Sequence, residues 1–278
     1  MAHAIRFAET GGPDVMRWES TEVGAPGPGV AFAAGDRVTY TGSPLGAYST
    51  ERIMPAEHLI ALPDGIAFDT AAATTMRGLT TAYLLRRIHP LRAGDTVLLH
   101  AAAGGVGQLF TQWAKLLGVS VIGTVSSEEK AAVARANGCD HVVIYTREDV
   151  ATRVRDITDG AGVPVVYDSI GKTTYQSSLD SLARRGLLVC FGTASGPVPP
   201  IEAMQLAVKG SLFVTRPALA DYIADPAERA ELAGELHDHL TAGRLRVEIN
   251  QRYELADAVR AHRDLEAGRS VGASVFAL

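Results

Sequence analysis

The chain has 278 residues, 47% of them hydrophobic, which is enough for one large or two small globular domains. Its net charge of −5 and its sequence pI near 5.9 lack the basic excess typical of nucleic-acid-binding proteins, so nucleic acid is not an expected partner. No secretory signal pattern and no run of about 18 apolar residues occurs, so we expect a cytoplasmic protein that does not enter a membrane. Cys139 and Cys190 are too few for a disulfide framework or a structural zinc site.

Short β-favouring runs make up the first 65 residues and alternate with turns rich in Gly and Pro. The runs at residues 4–7, 37–40 and 48–54 predict a small, mostly antiparallel sheet. A helix is predicted next, at residues 71–85, where the turn-forming residues give way to a longer apolar segment.

From there on, short apolar runs alternate with amphipathic helices. Such runs, buried on both faces, are typical of parallel strands. Six strands are predicted, at residues 97–99, 119–122, 142–144, 163–167, 187–191 and 212–214. Apolar residues at helical spacing fill the first connection from Val106 to Leu117, and Gly118 ends that helix. The pattern predicts an α/β fold with a doubly wound parallel sheet, whose ligand lies at the carboxyl ends of the strands.

The C-terminal part predicts mixed secondary structure. The chain is expected to be helical after Pro217 to about Ala242. A strand at residues 246–249, a helix at 256–265 and a last strand at 274–276 are then predicted.

The first of the six strands runs directly into a glycine turn and then into a helix. Ala102, Gly104 and Gly107 occupy the three glycine places of a G-x-G-x-x-G dinucleotide-binding fingerprint. Small residues let a diphosphate approach, and the exposed amides and dipole of a helix N-terminus favour its negative charge. The turn therefore predicts dinucleotide binding through Ala103, Gly104, Gly105, Val106 and Gly107.

Cofactor choice is predicted from the residue about 20 positions further on, where an Asp or Glu would hold the ribose 2′-hydroxyl of NAD. That residue is Ser126, followed by Ser127, and Lys130 lies one turn into the next helix. Hydroxyl groups, helix amides and an ammonium group favour a 2′-phosphate, so these residues predict NADPH as the cofactor. In an alternative interpretation, which is compatible with the first, Ser126 caps the helix in a capping box with Glu129, and Lys130 is a solvated surface charge.

Metal chemistry is not predicted. No histidine pairs with Cys or Glu at ligand spacing, and His237 and His239 point to different faces of one helix. All eight histidines are interpreted as surface or capping residues. The chain also lacks a Ser/Lys/Tyr set placed as in the short-chain reductases, so no catalytic acid and no other catalytic residue is assigned.

Six longer runs carry a resemblance to a known family. They are MRGLTTAYLL at residues 76–85, HAAAGGVGQLFTQWAKLLG at 100–118, VIGTVSSEEK at 121–130, VVYDSIGK at 165–172, LLVCFGTASGPVPP at 187–200 and AHRDLEAGRSVGASV at 261–275. With them the chain resembles the medium-chain dehydrogenase/reductase superfamily, and within it the zinc-independent quinone oxidoreductases of the zeta-crystallin type. The resemblance implies an NADPH site lined by Thr80, Lys130, Tyr145, Ser169, Phe191, Gly192, Ser195, Phe213, Thr215 and Arg269.

Four of these residues have simpler interpretations without the resemblance. Phe191 and Phe213 could be strand core, Tyr145 an aromatic residue at a strand end, and Arg269 a surface charge. For each of them, a place in the cofactor site is therefore implied by the family alone.

The resemblance also implies the domain organisation and the partners. Residues 73–218 would form a Rossmann domain, and residues 1–72 together with 219–278 a smaller GroES-like β domain. The protein would reduce a quinone, a small molecule. It would form a homodimer by pairing the strand that contains Leu212 and Val214 with its twin, because an exposed apolar edge strand is otherwise an aggregation site.

The N-terminal part departs from the family. Residues 5–29 resemble its opening hairpin and residues 33–66 its later strands, but several dozen residues that normally stand between them are missing. The join falls in Pro-Gly-Pro-Gly-Val at residues 26–30, which is consistent with an internal deletion between similar segments. In the family the missing stretch supplies central strands and the Asn and Tyr that border the nicotinamide. The small domain is therefore expected to be rearranged or loose, because unpaired backbone groups are costly to bury.

Two other functions stay open beside NADPH-dependent quinone reduction. The deletion favours a protein that binds NADPH without turnover, as a sensor or a decayed paralogue. The other alternative keeps the enzyme and changes the acceptor to an activated alkene, such as an enone or an enoyl thioester. In the quinone hypothesis proximity and orientation provide most of the catalysis, because the hydride donor is the cofactor's own carbon.

Overall fold

A computed structural model describes residues 1–25, 32–42, 44–267 and 272–278 of the chain. These residues form two compact units, one of residues 1–79 and 225–278 and the other of residues 80–224. The strands are β1 (Ala2–Arg6), β2 (Arg17–Thr21), β3 (Val38–Thr39), β4 (Ile60–Ala61), β5 (Thr96–Leu99), β6 (Ser120–Val125), β7 (His141–Ile144), β8 (Val163–Asp168), β9 (Leu182–Cys190), β10 (Phe213–Thr215), β11 (Ile249–Glu254) and β12 (Ala273–Ala277).

The α-helices are α1 (Phe68–Tyr83), α2 (Gly105–Leu116), α3 (Glu128–Ala136), α4 (Val150–Ile157), α5 (Tyr175–Ser181), α6 (Ala203–Val208), α7 (Leu219–Tyr222), α8 (Pro226–Thr241) and α9 (Ala258–Glu266). A π-helical turn, Leu84–Ile88, continues α1. Within the part of the chain that the structure describes, none of these helices is both long and apolar enough to cross a membrane.

The second unit is built on one six-stranded sheet with the order β10-β9-β8-β5-β6-β7. All neighbouring strands in it are parallel. The chain moves outward from β5 to β6 and β7, and then crosses back to β8 on the other side of β5. The strand order therefore reverses between β5 and β8, which is where open α/β sheets bind their ligands. The predicted doubly wound parallel sheet is confirmed.

Burial on both faces explains why these strands are continuous apolar runs. Val97, Leu98 and Leu99 of β5 are all fully buried, although successive strand residues face opposite sides of the sheet. Helix α2 contributes the fully buried Phe110, whose ring lies 4.7 Å from that of Tyr167 in β8. Each large apolar side chain buried in this way contributes about 1.5–3 kcal/mol to stability.

The first unit contains three two-stranded sheets among its described residues. The pairs β1–β2 and β3–β4 are antiparallel, and β11–β12 is parallel. The strand predicted at residues 48–54 is wrong, because this segment makes only an isolated bridge between Ala4 and Ser49. The guanidinium of Arg52 donates to the carbonyl oxygen of Pro44 at 3.0 Å, which ties the segment to the loop before it.

The strand predicted at residues 246–249 lies later in the chain, as β11. Its pairing with β12 sets the register, since Ile249 pairs with Ala273. Val247 packs against the same apolar cluster as Ile249 without being part of the strand. Apolar character alone therefore places the start of this strand at residue 246 instead of Ile249.

The β1–β2 pair leaves large apolar side chains in contact with solvent. Trp18 in β2 is 39% exposed and stacks on the ring of His3, and Phe7 after β1 is 61% exposed. Such exposure is expected of a sheet that lacks some of its neighbouring strands. The looseness inferred for the N-terminal part stays a prediction.

Candidate cofactor-binding site

The glycine turn follows β5, beside the point where the strand order reverses. Helix α2 begins at Gly105, and its N-cap, Gly104, is exposed and makes no side-chain capping bond. The first backbone N–H groups of an α-helix have no partner within the helix, and the dipole makes this end positive. The end of α2 therefore has the character of an anion-binding site.

The turn is held in a tight shape by its own backbone. Ala101 adopts a left-handed conformation with φ of 56°, and the amide of Gly104 donates to its carbonyl oxygen at 2.8 Å. The side-chain amide of Gln108 donates to the carbonyl oxygen of Ala103 at 2.9 Å. A Cβ atom at Gly107 would lie 2.4 Å from the carbonyl oxygen of Ala101, so glycine is required there. These residues fit the diphosphate of a dinucleotide, because the helix end is uncapped and its approach is not blocked by side chains.

The residues predicted to select the cofactor follow β6. The capping box of Ser126 with Glu129 is wrong, because α3 begins one residue later than that box requires. The N-cap is Ser127, whose Oγ accepts a hydrogen bond from the amide of Lys130 at 3.4 Å. A hydrogen bond with the Ser127 hydroxyl also lowers the pKa of Glu129. The Ser126 carbonyl oxygen accepts a hydrogen bond from the Thr146 hydroxyl at 3.1 Å.

Tyr145 and Lys130 lie at the same edge of the sheet. Tyr145 follows β7, is 51% exposed, and donates its amide to the carbonyl oxygen of Val125 at 3.1 Å. Lys130 is exposed in the first turn of α3. The structure therefore brings together four of the residues predicted for the cofactor site, Ser126, Ser127, Lys130 and Tyr145.

The loops after β8 and β9 form one hydrogen-bonded wall on the other side of the switch point. The amide and the hydroxyl of Ser195 both donate to the carbonyl oxygen of Ile170, at 2.8 and 2.9 Å. A Cβ atom at Gly192 would lie 2.5 Å from the carbonyl oxygen of Ser169. The structure thus brings Ser169, Gly192 and Ser195 together, and the half-buried Phe191 lies next to them in the chain.

The remaining predicted residues are more scattered. Thr80 lies half-buried in α1, and Phe213 and Thr215 lie in β10, where Phe213 is 60% exposed. Thr215 is the last residue of β10 and pairs with Val189, so it lies at the carboxyl edge of the sheet. Arg269 lies outside the described residues.

A buried polar network lies next to the loops that follow β8 and β9. Asp168, the last residue of β8, is fully buried. Its carboxylate accepts hydrogen bonds from the amides of Ile170 and Gly171 at 2.8 and 3.0 Å. It also accepts from the hydroxyls of Thr174 and Ser178 at 2.7 and 2.8 Å. The carboxylate therefore fixes the turn that carries the loop after β8.

His100, which follows β5, extends this network. Its Nε2 lies 3.0 Å from the Ser178 hydroxyl and its Nδ1 lies 3.0 Å from the Thr124 hydroxyl. Because Ser178 already donates its proton to Asp168, Nε2 must be the donor to Ser178, and Nδ1 accepts from Thr124. The interpretation of all histidines as surface or capping residues is wrong for His100, which is 1% exposed, and for His237, which is 7% exposed.

Buried histidines make the folded state sensitive to mild acid. Burial lowers the pKa of His89, His100 and His237 below the ordinary value of 6.5. Between that value and the lowered one, the unfolded chain binds more protons than the folded chain. The stability contributed by neutral histidine is therefore complete above pH 6.5 and is lost as the pH falls below it. Carboxylates with a lowered pKa, such as that of Asp69, change the stability only at a pH near and below the ordinary pKa of 3.8.

We expect the melting temperature to fall by about 5 °C or more between pH 8 and pH 5, since roughly 1 kcal/mol corresponds to a few degrees in a chain of this size. Thermal scans by circular dichroism at constant ionic strength check this. The variant His237→Met removes one buried titrating group and should show a smaller decrease. A melting temperature that is constant over this range would contradict the argument.

The comparisons with known proteins identify the family. Residues 105–225 match the model of the zinc-binding dehydrogenase family. The chain is 53% identical to a quinone oxidoreductase of Pseudomonas aeruginosa over 99% of both chains. The chain belongs to the quinone oxidoreductase family. The resemblance to the quinone oxidoreductases of the medium-chain dehydrogenase/reductase superfamily is thus confirmed.

Two other similar proteins have names that state a substrate or a cofactor. A 2-haloacrylate reductase of a Burkholderia species is 46% identical over 90% of this chain and 76% of its own length. The crystal structure of Escherichia coli quinone oxidoreductase complexed with NADPH superposes with a TM-score of 0.93 and 36% identity, over 99% of this chain and all of that one.

This member of the quinone oxidoreductase family is shorter than its Pseudomonas aeruginosa relative. Their alignment has 323 positions whereas this chain has 278 residues, so at least 45 positions have no residue here. That difference agrees with the several dozen missing residues inferred from the sequence. The predicted join at residues 26–30 lies outside the described residues, and its place stays a prediction.

Proposed function

We propose that the chain reduces quinones by transfer of a hydride from NADPH, without a metal. The observation that carries the proposal is the uncapped glycine turn at residues 104–107, at the switch point of a parallel sheet, in a chain 53% identical to a quinone oxidoreductase. The Escherichia coli relative was solved with NADPH, which supports the choice of cofactor.

Three groups of residues at the carboxyl edge of the sheet would bind different parts of the cofactor. The turn at residues 103–107 would hold the diphosphate. The adenosine and its 2′-phosphate would lie on Ser126, Ser127, Lys130 and Tyr145, and the nicotinamide end on Ser169, Phe191, Gly192 and Ser195. Thr80, Phe213, Thr215 and Arg269 would complete the site.

NADPH supplies a hydride when it is bound. The chain's own contribution is to hold donor and acceptor in contact and in the right orientation, which can account for much of the rate. Conversion of a quinone to a hydroquinone takes one hydride and one proton, and water can deliver the proton. The reaction therefore does not depend on a side chain that acts as an acid. For this reason the proposal needs no catalytic residue beyond those that hold the cofactor and the quinone.

A metal-free reaction fits the donor groups of the chain. Among the described residues, no three His, Cys, Asp or Glu side chains come together in a group that could hold a metal ion. Both cysteines are buried, and burial raises the pKa of each thiol to about 11, which disfavours the thiolate that binds zinc.

The decisive experiment is steady-state oxidation of NADPH with 1,4-naphthoquinone, followed by absorbance, before and after dialysis against EDTA. We expect turnover that EDTA does not reduce. Binding of NADPH without turnover would overturn quinone reduction and favour a binding protein instead. A loss of turnover on chelation, restored by zinc, would overturn the metal-free mechanism.

An activated alkene is the second candidate acceptor, and one observation favours it. The Burkholderia relative at 46% identity is named a 2-haloacrylate reductase. The same assay with 2-chloroacrylate and with an enone measures this activity. The ratio of kcat/KM values for alkene and quinone then decides which acceptor class the pocket prefers.

We further propose that two copies pair along β10 to form a homodimer. β10 is the terminal strand of the six-stranded sheet, and its Phe213 is 60% exposed. Met204 and Val208, one turn apart in the adjoining α6, are 64% and 79% exposed. An apolar strand edge next to an apolar helix face is typical of a surface that is covered in the native assembly.

Substitution of Val208 tests the dimer. The variant Val208→Glu would place a carboxylate at each of two symmetry-related positions of the interface, so we expect the dimer Kd to rise at least about a hundredfold. Light scattering coupled to size-exclusion chromatography measures the mass. Leu45→Glu, at a residue that is 93% exposed in the first unit, is the matched control and should leave the mass unchanged. A wild-type chain that is monomeric at micromolar concentration would contradict the proposal.

A further inference from the structure

The loop after β7 is tied to the loop after β6. The Thr146 hydroxyl donates to the Ser126 carbonyl oxygen at 3.1 Å, and the Tyr145 amide donates to the Val125 carbonyl oxygen at 3.1 Å. Ser126 is the residue at the position that reads the ribose 2′ substituent in Rossmann folds. Arg147, the next residue of the β7 loop, is therefore held close to that position, although it does not belong to the sequence fingerprint.

Arg147 is held only weakly by its neighbours. Its Nη1 lies 3.9 Å from Glu128 Oε2, too far for a hydrogen bond, and its side chain is 67% exposed. The other carboxylate oxygen of Glu128 accepts a hydrogen bond from Arg135 at 2.8 Å. Glu128 therefore keeps a well-placed cation when Arg147 turns away from it.

Arg147 adds a positive charge beside the charged side chains of α3. Glu128 and Glu129 bring two negative charges to the first turn of α3, and Lys130 and Arg135 bring two positive charges. Without Arg147 these four side chains sum to zero, and with it the sum is +1. A phosphate monoester carries about −1.5 to −2 charges at neutral pH, so a neutral cluster gives it little net attraction.

We propose that Arg147 is a specificity-determining residue that leaves Glu128 and binds the 2′-phosphate of the dinucleotide, while Arg135 keeps Glu128 paired. The planar guanidinium suits the two-point recognition of phosphate oxygens. A cofactor with a 2′-hydroxyl offers no such partner, so Arg147 contributes to the discrimination between NADPH and NADH. The inference rests on the proposed function, because it deepens the cofactor choice of the same site.

The adenosine end can be tested by equilibrium binding without turnover. Isothermal titration of the full chain with 2′,5′-ADP and with 5′-AMP compares two small ligands that differ in the 2′-phosphate. We expect Arg147→Gln to raise the Kd for 2′,5′-ADP about tenfold or more and to leave the Kd for 5′-AMP within about twofold. Arg147→Lys, which keeps the charge, should recover part of the loss.

Arg153→Gln is the matched control. Arg153 is an exposed arginine in α4 that pairs with Glu148, and its replacement should change neither Kd. The inference is overturned if Arg147→Gln leaves the ratio of the two Kd values unchanged or weakens both ligands equally. A wild-type chain without preference for 2′,5′-ADP would instead overturn the proposed NADPH specificity itself, so the two failures are distinguishable.

Discussion

Replacement of Gly107 with alanine is expected to weaken NADPH binding by roughly a hundredfold or more. The added Cβ would lie 2.4 Å from the carbonyl oxygen of Ala101 and 2.7 Å from that of Ala102. Both contacts are with backbone atoms of the turn, which have no flexible side chain that could move aside. Helix α2 must therefore shift away from the turn, and the amides at its N-terminus no longer point together at the diphosphate.

The size of the effect follows from the bonds at stake. Each hydrogen bond to a charged group contributes about 1.5–3 kcal/mol, so the loss of two amounts to about 3–6 kcal/mol. Quenching of tryptophan fluorescence on titration with NADPH measures the Kd, and a thermal scan shows whether the variant is folded. A folded Gly107→Ala variant with wild-type affinity would contradict the proposed diphosphate site.

Gly234→Ala is the matched control for this substitution. Gly234 lies within α8, is exposed, and a Cβ atom there would meet nothing within 4 Å. Alanine is favoured over glycine in a helix interior by about 1 kcal/mol, so this variant should gain stability and keep its affinity for NADPH. The two alanine variants thus separate the close approach at Gly107 from a general effect of removing a glycine.

The sheet and the glycine turn are predictable from the sequence because both depend on local patterns. All six parallel strands overlap the predicted apolar runs, because strands that are covered on both faces favour apolar residues. The turn is recognisable because its small residues stand between a strand and a helix. Residues 48–54 are β-favouring in the same way, yet they form only a bridge, because the partner that would extend the pairing is not set by the local sequence.

The details of the site depend on contacts that sequence spacing does not reveal. Ser126 and Ser127 are adjacent serines, either of which can cap a helix, and only the backbone path decides for Ser127. His100 and Ser178 are 78 positions apart and meet through the pairing of β5 with β8. The one signal available for His100 is its place at the end of a buried strand, where an exposed histidine is not expected.

Replacement of Asp168 with alanine is expected to lower the free energy of unfolding by about 4 kcal/mol or more. The amides of Ile170 and Gly171 and the hydroxyls of Thr174 and Ser178 would lose their acceptor, and each unsatisfied buried group costs about 1–3 kcal/mol. Urea denaturation followed by circular dichroism measures the change. A loss below 1 kcal/mol would show that water replaces the carboxylate.

Asparagine at the same position is expected to be better tolerated than alanine, at a cost of about 1–2 kcal/mol, because most of the network can reverse its direction. The amide oxygen of Asp168→Asn keeps the bonds to the two backbone amides, and its NH2 group donates to Ser178 where the carboxylate accepted. The Ser178 hydroxyl then donates to His100 Nε2, and His100 Nδ1 donates to Thr124. These bonds form only if the proton of the imidazole moves from Nε2 to Nδ1, and the buried Thr124 hydroxyl then loses the acceptor of its own proton.

The histidine tautomer makes this reversal visible. In 15N-labelled protein, two-bond couplings from the ring protons distinguish the Nε2–H form expected in the wild type from the Nδ1–H form expected in Asp168→Asn. A His100→Gln spectrum assigns the signal. An unchanged tautomer, or an asparagine variant as unstable as the alanine variant, would contradict the direction assigned to the network. Because the network fixes the loop that carries Ser169, the asparagine variant should also bind NADPH with nearly wild-type affinity, whereas the alanine variant should not.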